Sequence, residues 1–101
     1  MRYREFGATG LKVSEIAFGA GTLSGVNLIV QPDRQLCLAA VRRAIDLGIN
    51  WFDTAPLYGD GRSEQNLGSA LKELGASPHV STKVRIGPDH LADVAGQVRR
   101  S

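Results

Sequence analysis

The sequence predicts an α/β fold in which an N-terminal β-hairpin is followed by three βα units that share a parallel sheet. Short apolar runs of strand length alternate with segments whose apolar residues recur at helical spacing. Twelve glycines stand singly between these segments, as turns between short elements require. With 101 residues, 43% hydrophobic and 22% charged, the composition is that of one small folded domain.

The first predicted element is a β-hairpin over residues 2–13. A glycine-containing turn at residues 7–10 follows Tyr3 and Phe6, and the return strand begins directly after it. The apolar run 16–18 then predicts the first, buried strand of the parallel sheet. We expect the hairpin to precede the βα units as a separate small sheet.

Three helices are predicted from their ends and their apolar spacing. Asp33 opens the first helix, and Ser63 and Asp89 are the expected N-caps of the second and third. Gly48 and Gly75 are placed to end the first two. The residues expected to face inward are Leu38, Val41, Ala44 and Ile45, then Leu67, Ala70, Leu71 and Leu74, and finally Leu91, Val94 and Val98.

The second parallel strand is predicted to end in Asp53, and the third is predicted to run over residues 80–84. A parallel sheet of three strands has two open edges and incompletely covered faces. We therefore expect more strands to belong to this fold than the chain contains. Trp51, Phe52 and Val80 should lack packing partners, and the strand edges should favour self-association.

Composition excludes several classes of protein. Lys and Arg exceed Asp and Glu by 12 to 10, and no run of like charge suggests a nucleic-acid partner. No apolar run approaches the roughly 18 residues of a membrane span, and the N-terminus lacks a secretory apolar region. Cys37 is the single cysteine and is expected to be buried. These features predict a cytoplasmic protein with no internal disulfide and no nucleic-acid or membrane partner.

Three polar residues lie where parallel α/β proteins bind ligands, at the carboxyl ends of strands. Asp53 ends the second strand, Lys83 lies at the end of the third, and Tyr58 follows in the loop after Asp53. If the second and third strands are neighbours, about 4.8 Å apart, Asp53 and Lys83 can meet above the sheet and Tyr58 can lean over both. An ammonium beside a phenol favours the phenolate, and a carboxylate keeps the ammonium charged and oriented. This combination predicts a proton donor for a carbonyl oxygen as hydride reaches its carbon.

Each of these residues taken singly has a commoner explanation. Asp53 alone is most often a turn or cap carboxylate, Lys83 a solvated strand-end lysine, and Tyr58 a packed loop aromatic. Their joint spacing favours the catalytic interpretation. A dinucleotide fingerprint at Gly19 and Gly21 is disfavoured, because the third glycine and an immediately following helix are lacking.

The segment 48–59 (GINWFDTAPLYG), followed by 63–68 (SEQNLG), resembles the signature of the aldo-keto reductases. Residues 81–84 (STKV) look like that family's next motif, the strand that ends in a lysine. The glycine turns at 7–14 and 19–22 also match. The resemblance covers essentially the whole chain.

The resemblance implies an NAD(P)(H)-dependent oxidoreductase without a metal, which acts on an aldehyde, ketone or sugar carbonyl. Asp53, Tyr58 and Lys83 match three of the family's four catalytic residues, with Tyr58 as the general acid. Gly21 and Thr22 match the turn beside the nicotinamide, and Asp53 is also expected at the cofactor. The implied fold is a (β/α)₈ TIM barrel whose floor is closed by the hairpin.

The chain departs from this family in its extent. A TIM barrel has eight βα units and about 250 residues, and this sequence supplies three units. The family's catalytic histidine is expected beyond Ser101, because His79 and His90 do not lie at the carboxyl end of a strand. We therefore expect residues 1–101 to be the truncated N-terminal part of an aldo/keto reductase domain, inactive by itself and weak in NADPH binding. The alternative is a non-catalytic binding or regulatory subunit related to these enzymes.

Overall fold

The structure, a computed structural model, describes residues 1–21, 31–88 and 93–100. Predictions that concern Thr22, Asp89, His90 and Leu91 lie outside these residues. In chain order the elements are β1 (Tyr3–Glu5), β2 (Lys12–Ser14), β3 (Phe18–Gly19), α1 (Arg34–Asp46), β4 (Trp51–Asp53), α2 (Arg62–Leu74), β5 (His79–Ser81) and α3 (Val94–Arg100).

The predicted hairpin is confirmed as the antiparallel pair β1–β2, in which Tyr3 lies opposite Ser14. The side chain of Asn50, the residue before β4, fastens this hairpin to the parallel sheet. Its Oδ1 accepts a hydrogen bond from Ser14 N at 2.7 Å, and its Nδ2 donates to Lys12 O at 2.9 Å. Because these bonds precede β4, the hairpin lies at the amino-terminal end of the sheet and leaves the carboxyl end open.

Gly48 ends α1 and also contacts the hairpin. Its φ of +91° is in the left-handed region, and its carbonyl accepts a hydrogen bond from the Tyr3 hydroxyl at 2.7 Å. A Cβ atom at this position would lie 2.9 Å from that hydroxyl oxygen and 3.0 Å from Met1 Cβ. Both the backbone conformation and the packing therefore require glycine here.

Replacing Gly48 by alanine is expected to destabilise the chain by at least about 1 kcal/mol, through the left-handed backbone and the collision with Tyr3. Gly68→Ala is the matched control, because Gly68 lies within α2 and an added Cβ would contact nothing within 4 Å. That change should stabilise the chain by about 0.5–1 kcal/mol through helix propensity. Denaturant unfolding measures both, and equal effects of the two substitutions would contradict the assignment.

The parallel sheet has the order β3–β4–β5, so the second and third predicted parallel strands are neighbours, which is the condition for Asp53 and Lys83 to meet. The strand predicted over residues 16–18 is the shorter β3, because Ile16 lies outside the sheet and is 60% exposed. The prediction that this strand is buried was wrong, since Phe18 is half-buried and Gly19 is exposed. The strand predicted over residues 80–84 is His79–Ser81 instead. Thr54 N still donates to Ser81 O at 2.8 Å, but the chain then leaves the sheet through a loop, so residues after Ser81 have no strand to pair with there.

Within the described residues no further strand pairs with the outer edges of β3 and β5, and the sheet does not close into a barrel. Val80 on β5 is 48% exposed, in agreement with the expected lack of cover. The expectation for Phe52 was wrong. Its side chain is fully buried, because α1 and α2 pack over that face of β4. Self-association through the edges stays a prediction.

The hydrophobic core lies between the parallel sheet and the two longer helices. Its buried members are Ala20, Val41, Ala44, Phe52, Leu67 and Ala70. Leu38, Ile45, Leu71 and Leu74 pack against them in half-buried positions, so the apolar faces predicted for α1 and α2 are the observed ones. Cys37 is buried, as expected.

The helix ends agree with the sequence in α1 and differ from it in α2. Asp33 caps α1, and its Oδ1 accepts hydrogen bonds from Gln35 N at 2.9 Å and Leu36 N at 3.3 Å. The prediction of Ser63 as the cap of α2 was wrong. Gly61 occupies the N-cap position, and Ser63 is a buried residue of the first helical turn. Gly75 ends α2 with a φ of +63°, as predicted.

The apolar periodicity predicted for the third helix does not describe its packing. Val94 is half-buried, but Val98 is 56% exposed, so the prediction that it faces inward was wrong. The exposure of Val98 shows that this side of the helix is left largely uncovered by the described residues. None of the helices in the described part of the chain is long and apolar enough to cross a membrane.

Candidate active site

Asp53 and Lys83 form an ion pair at the carboxyl end of the parallel sheet. Asp53 is the last residue of β4, and Lys83 lies two residues beyond Ser81, which stands opposite Asp53 on β5. Lys83 Nζ is 3.0 Å from Asp53 Oδ2 and 3.2 Å from Oδ1. It also donates a hydrogen bond to Thr54 O at 2.8 Å, so three oxygen atoms hold the ammonium in place.

Tyr58 joins this pair from the loop between β4 and α2. Lys83 Nζ lies 5.1 Å from the centroid of the Tyr58 ring, within the range of a cation–π contact. The loop holds Tyr58 by its backbone, since Tyr58 N donates to Ala55 O at 3.1 Å and Ser63 N donates to Tyr58 O at 3.2 Å. The structure therefore brings together the carboxylate, ammonium and phenol that the sequence singled out.

Ser63 stabilises the site at the start of α2, and sequence reasoning missed this role. Its buried Oγ donates to Ala20 O at 2.9 Å and shares a hydrogen bond of 2.7 Å with Thr54 Oγ1. These contacts tie the residue after β3, the residue after β4 and the first turn of α2 to one another. Serine is a favoured cap residue and stands directly before the apolar spacing of α2, so the sequence indicated a cap and not a buried hydroxyl.

Gly21 lies directly against Tyr58. A Cβ atom at position 21 would be 3.3 Å from Tyr58 Cζ and 3.4 Å from Cε2. The glycine thus leaves room for the phenol at the end of β3. Thr22, its predicted companion, lies outside the described residues.

The charges of the ion pair are mutually stabilised. Partial burial acts to raise the pKa of Asp53, but hydrogen bonds from Ser81 and Lys83, and the Lys83 charge, hold it below its ordinary value of 3.8. Partial burial acts to lower the pKa of Lys83, but Asp53 and Tyr58 hold it above its ordinary value of 10.5. The contribution of Asp53 to stability is therefore lost as pH falls through its folded pKa, and that of Lys83 as pH rises through its own. Between pH 3.8 and pH 10.5, the ordinary pKa values of the two groups, both side chains stay charged and the ion pair is intact.

Ser81 and Trp51 are linked by hydrogen bonds to the ion pair, and the sequence analysis assigned them no role in the site. Ser81 Oγ donates to Asp53 Oδ1 at 2.6 Å, and Trp51 Nε1 donates to Ser81 Oγ at 3.0 Å. Strand alternation could have indicated these contacts, because it places residues 51 and 53 on one face of the sheet and residue 81 beside them. Within the described residues, no three His, Cys, Asp or Glu side chains come together as metal ligands.

A parallel α/β sheet with convergent polar groups at its carboxyl end is a ligand-binding architecture. Residues 15–101 match the sequence profile of the Aldo/keto reductase family. The chain therefore belongs to the aldo/keto reductase family, whose fold is the (β/α)₈ barrel, and the described residues form a part of that fold.

Individual relatives agree with this assignment. L-galactose dehydrogenase of Arabidopsis thaliana is 51% identical over 71 residues, which cover 70% of this chain and 22% of that protein. A probable voltage-gated potassium channel subunit beta of Oryza sativa subsp. japonica is 39% identical over 87 residues, covering 83% of this chain and 25% of its own length. The solved glycerol dehydrogenase from Gluconobacter oxydans superposes with a TM-score of 0.69 at 28% identity, over 97% of this chain and 32% of that one. The chain thus spans about a quarter of the length of these curated relatives.

Proposed function

We propose that this chain supplies the proton-transfer part of an NAD(P)-dependent carbonyl reductase or alcohol dehydrogenase site, with Tyr58 as general acid and base. The observation that carries the proposal is the position of Lys83 Nζ, bonded to Asp53 at 3.0 Å and 5.1 Å from the centre of the Tyr58 ring. A positive charge at this place favours the phenolate that forms when Tyr58 donates its proton. Asp53 keeps the ammonium charged and fixed there.

The roles of the three side chains follow from their contacts. Tyr58 gives its hydroxyl proton to a carbonyl oxygen in reduction and takes it back in alcohol oxidation. Lys83 stabilises the negative charge left on the phenol, and Thr54 O and Asp53 prevent the lysine side chain from rotating away. The substrate class is an aldehyde, ketone or sugar carbonyl. Partial exposure of Lys83 and Asp53 leaves this end of the sheet accessible to it.

The residues present fit a nicotinamide cofactor at two points. Gly21 lets the Tyr58 phenol keep its place, since any side chain at this position would press against the ring, and the resemblance puts this turn beside the nicotinamide. Asp53 Oδ2 accepts a hydrogen bond from Lys83 and, being partly exposed, can accept another from a cofactor hydroxyl. NAD(P)H, when bound, supplies the hydride that carbonyl reduction requires. Gly21, Thr22 and Asp53 are the proposed cofactor-binding residues of this chain.

The test of this proposal combines this chain with the remaining part of the barrel from a related enzyme. Residues 1–101, proposed as the N-terminal part of an aldo/keto reductase domain, are grafted onto the glycerol dehydrogenase of Gluconobacter oxydans in place of its matching third. We expect this chimera to oxidise glycerol with a nicotinamide cofactor.

Lys83→Met in the chimera should lower kcat by about 10²-fold or more, because the phenolate loses its stabilising charge. Lys72→Met is the matched control, since Lys72 lies on the exposed surface of α2, and it should leave kcat within twofold. Initial rates of cofactor reduction measure both. Equal kcat values for the two variants would contradict the proposed role of Lys83.

A second candidate function is a non-catalytic subunit, which the resemblance to a probable channel beta subunit favours. Such a subunit could retain the nicotinamide site without turnover. A folded chimera that binds the cofactor but does not oxidise glycerol would favour this second function over the first.

A further inference from the structure

We infer that Ser81 and Trp51 are positioning residues, which form a directed hydrogen-bond chain that fixes the orientation of the Asp53 carboxylate. The inference rests on the proposed function in so far as Asp53 then holds Lys83 beside Tyr58. It concerns a different part of the molecule, the face of β4 and β5 below the ion pair.

The direction of the chain follows from the chemistry of its members. An indole nitrogen can only donate and a carboxylate can only accept, whereas a serine hydroxyl does both. Trp51 Nε1 donates to Ser81 Oγ at 3.0 Å, so the single Ser81 hydroxyl hydrogen is directed to Asp53 Oδ1 at 2.6 Å. A hydroxyl that accepts a hydrogen bond is a stronger donor, and its bond to a charged acceptor is strengthened accordingly.

The chain orients the carboxylate as well as binding it. Lys83 Nζ contacts both oxygens of Asp53, at 3.2 and 3.0 Å, so its bonds do not distinguish one carboxylate oxygen from the other. Ser81 is short, stands on the neighbouring strand directly opposite Asp53 and binds Oδ1 alone. The Phe6 ring meets the Trp51 indole edge-on at a centroid distance of 5.7 Å, which supports the donor of this chain from the hairpin. The Ser81 bond therefore selects one orientation of the carboxylate.

The hydroxyl of Ser81 is not needed to hold β4 and β5 in register. Backbone hydrogen bonds of 2.8 Å, from His79 N to Asn50 O and from Thr54 N to Ser81 O, bracket the pairing of these strands. The side-chain bonds are additional to this ladder and end on the carboxylate. Their effect is therefore expected at Asp53 rather than on the sheet.

The test uses the single tryptophan of the chain, whose indole N–H gives one signal in an NMR spectrum of nitrogen-15-labelled protein. At neutral pH, Asp53→Asn should shift this signal, because the charged end of the hydrogen-bond chain is lost. The same substitution in a Ser81→Ala background should leave the signal in place. A shift of equal size in both backgrounds, or in neither, would overturn the inference.

A second measurement reads Asp53 itself through its carboxyl carbon-13 signal. Ser81→Ala should raise the titration midpoint of Asp53 towards 3.8, because a hydrogen bond that holds its pKa down is removed. Ser81→Thr should restore the midpoint. Ser14→Ala is the matched control, since Ser14 is a buried hydroxyl with two hydrogen bonds at the opposite end of the sheet.

An unchanged midpoint in Ser81→Ala, or an equal rise in Ser14→Ala, would overturn the positioning role. If Ser81→Ala does not fold, Trp51→Phe provides the same test. It removes the indole donor and should raise the Asp53 midpoint by a smaller amount. These readouts need no turnover, so a chimera without activity would leave them unchanged.

Discussion

Replacing Tyr58 by phenylalanine in the glycerol dehydrogenase chimera is expected to lower kcat by about 10²–10⁴-fold, the usual contribution of a general acid or base. The substitution removes only the hydroxyl, so the ring keeps its contacts with Gly21 and with the Lys83 ammonium. The proton of the alcohol then has no acceptor at that place. KM for glycerol should change far less than kcat, because the loss is felt in the transition state.

Tyr3→Phe is the matched control, because the chain has only two tyrosines. The Tyr3 hydroxyl donates to Gly48 O at the other end of the sheet, so its removal should cost some stability and leave kcat within about twofold. Steady-state rates and cofactor titrations of both variants decide the matter. A Tyr58→Phe chimera that retains a tenth or more of the parent kcat would exclude Tyr58 as the general acid.

The largest effect on stability is expected from Phe52→Ala, at about 3–5 kcal/mol. Phe52 is fully buried in β4 between the sheet and the two helices, and its ring lies 5.3 Å from that of Phe18. Alanine would leave a cavity in the middle of this core, and the surrounding strands can collapse into it only partly. Denaturant unfolding followed by tryptophan fluorescence measures the change. If the loss exceeds the stability of the parent chain, the variant should show no cooperative unfolding transition.

Phe6→Ala provides the comparison, because Phe6 is 48% exposed in the hairpin and packs edge-on against Trp51, outside the buried core cluster. This substitution should lower the free energy of unfolding by about 1–2 kcal/mol, because part of the apolar burial and one aromatic contact are lost. A Phe52→Ala variant no less stable than Phe6→Ala would show that the core is organised differently.

The order of elements and the candidate site could be predicted because each depends on local chemistry. Gly48 and Gly75 end helices through their left-handed backbones. Asp53 and Lys83 follow strands, and the carboxyl ends of parallel strands meet at one edge. The sequence left open whether the second and third parallel strands are neighbours, and the observed strand order meets that condition.

The remaining features depend on contacts between distant residues. Ser63 is a favoured cap residue at the start of a helical pattern, but its hydroxyl bonds to Ala20, 43 positions earlier. The bond between Ser81 and Asp53 depends on the register of β4 and β5, and a shift of one residue would turn Ser81 to the other face. Val98 follows the helical apolar pattern, yet periodicity alone does not say whether a neighbour covers that face.

The tethering of the hairpin by Asn50, before β4, has a consequence for how this chain tolerates change. These contacts lie at the amino-terminal end of the sheet, whereas the groups proposed for proton transfer lie at its carboxyl end. Exposed loop positions at the carboxyl end can thus be changed to admit differently shaped molecules without weakening the attachment of the hairpin. Engineering of selectivity in this chain would therefore begin at Leu57, which is 64% exposed next to Tyr58, with Tyr58 and the hairpin left unchanged.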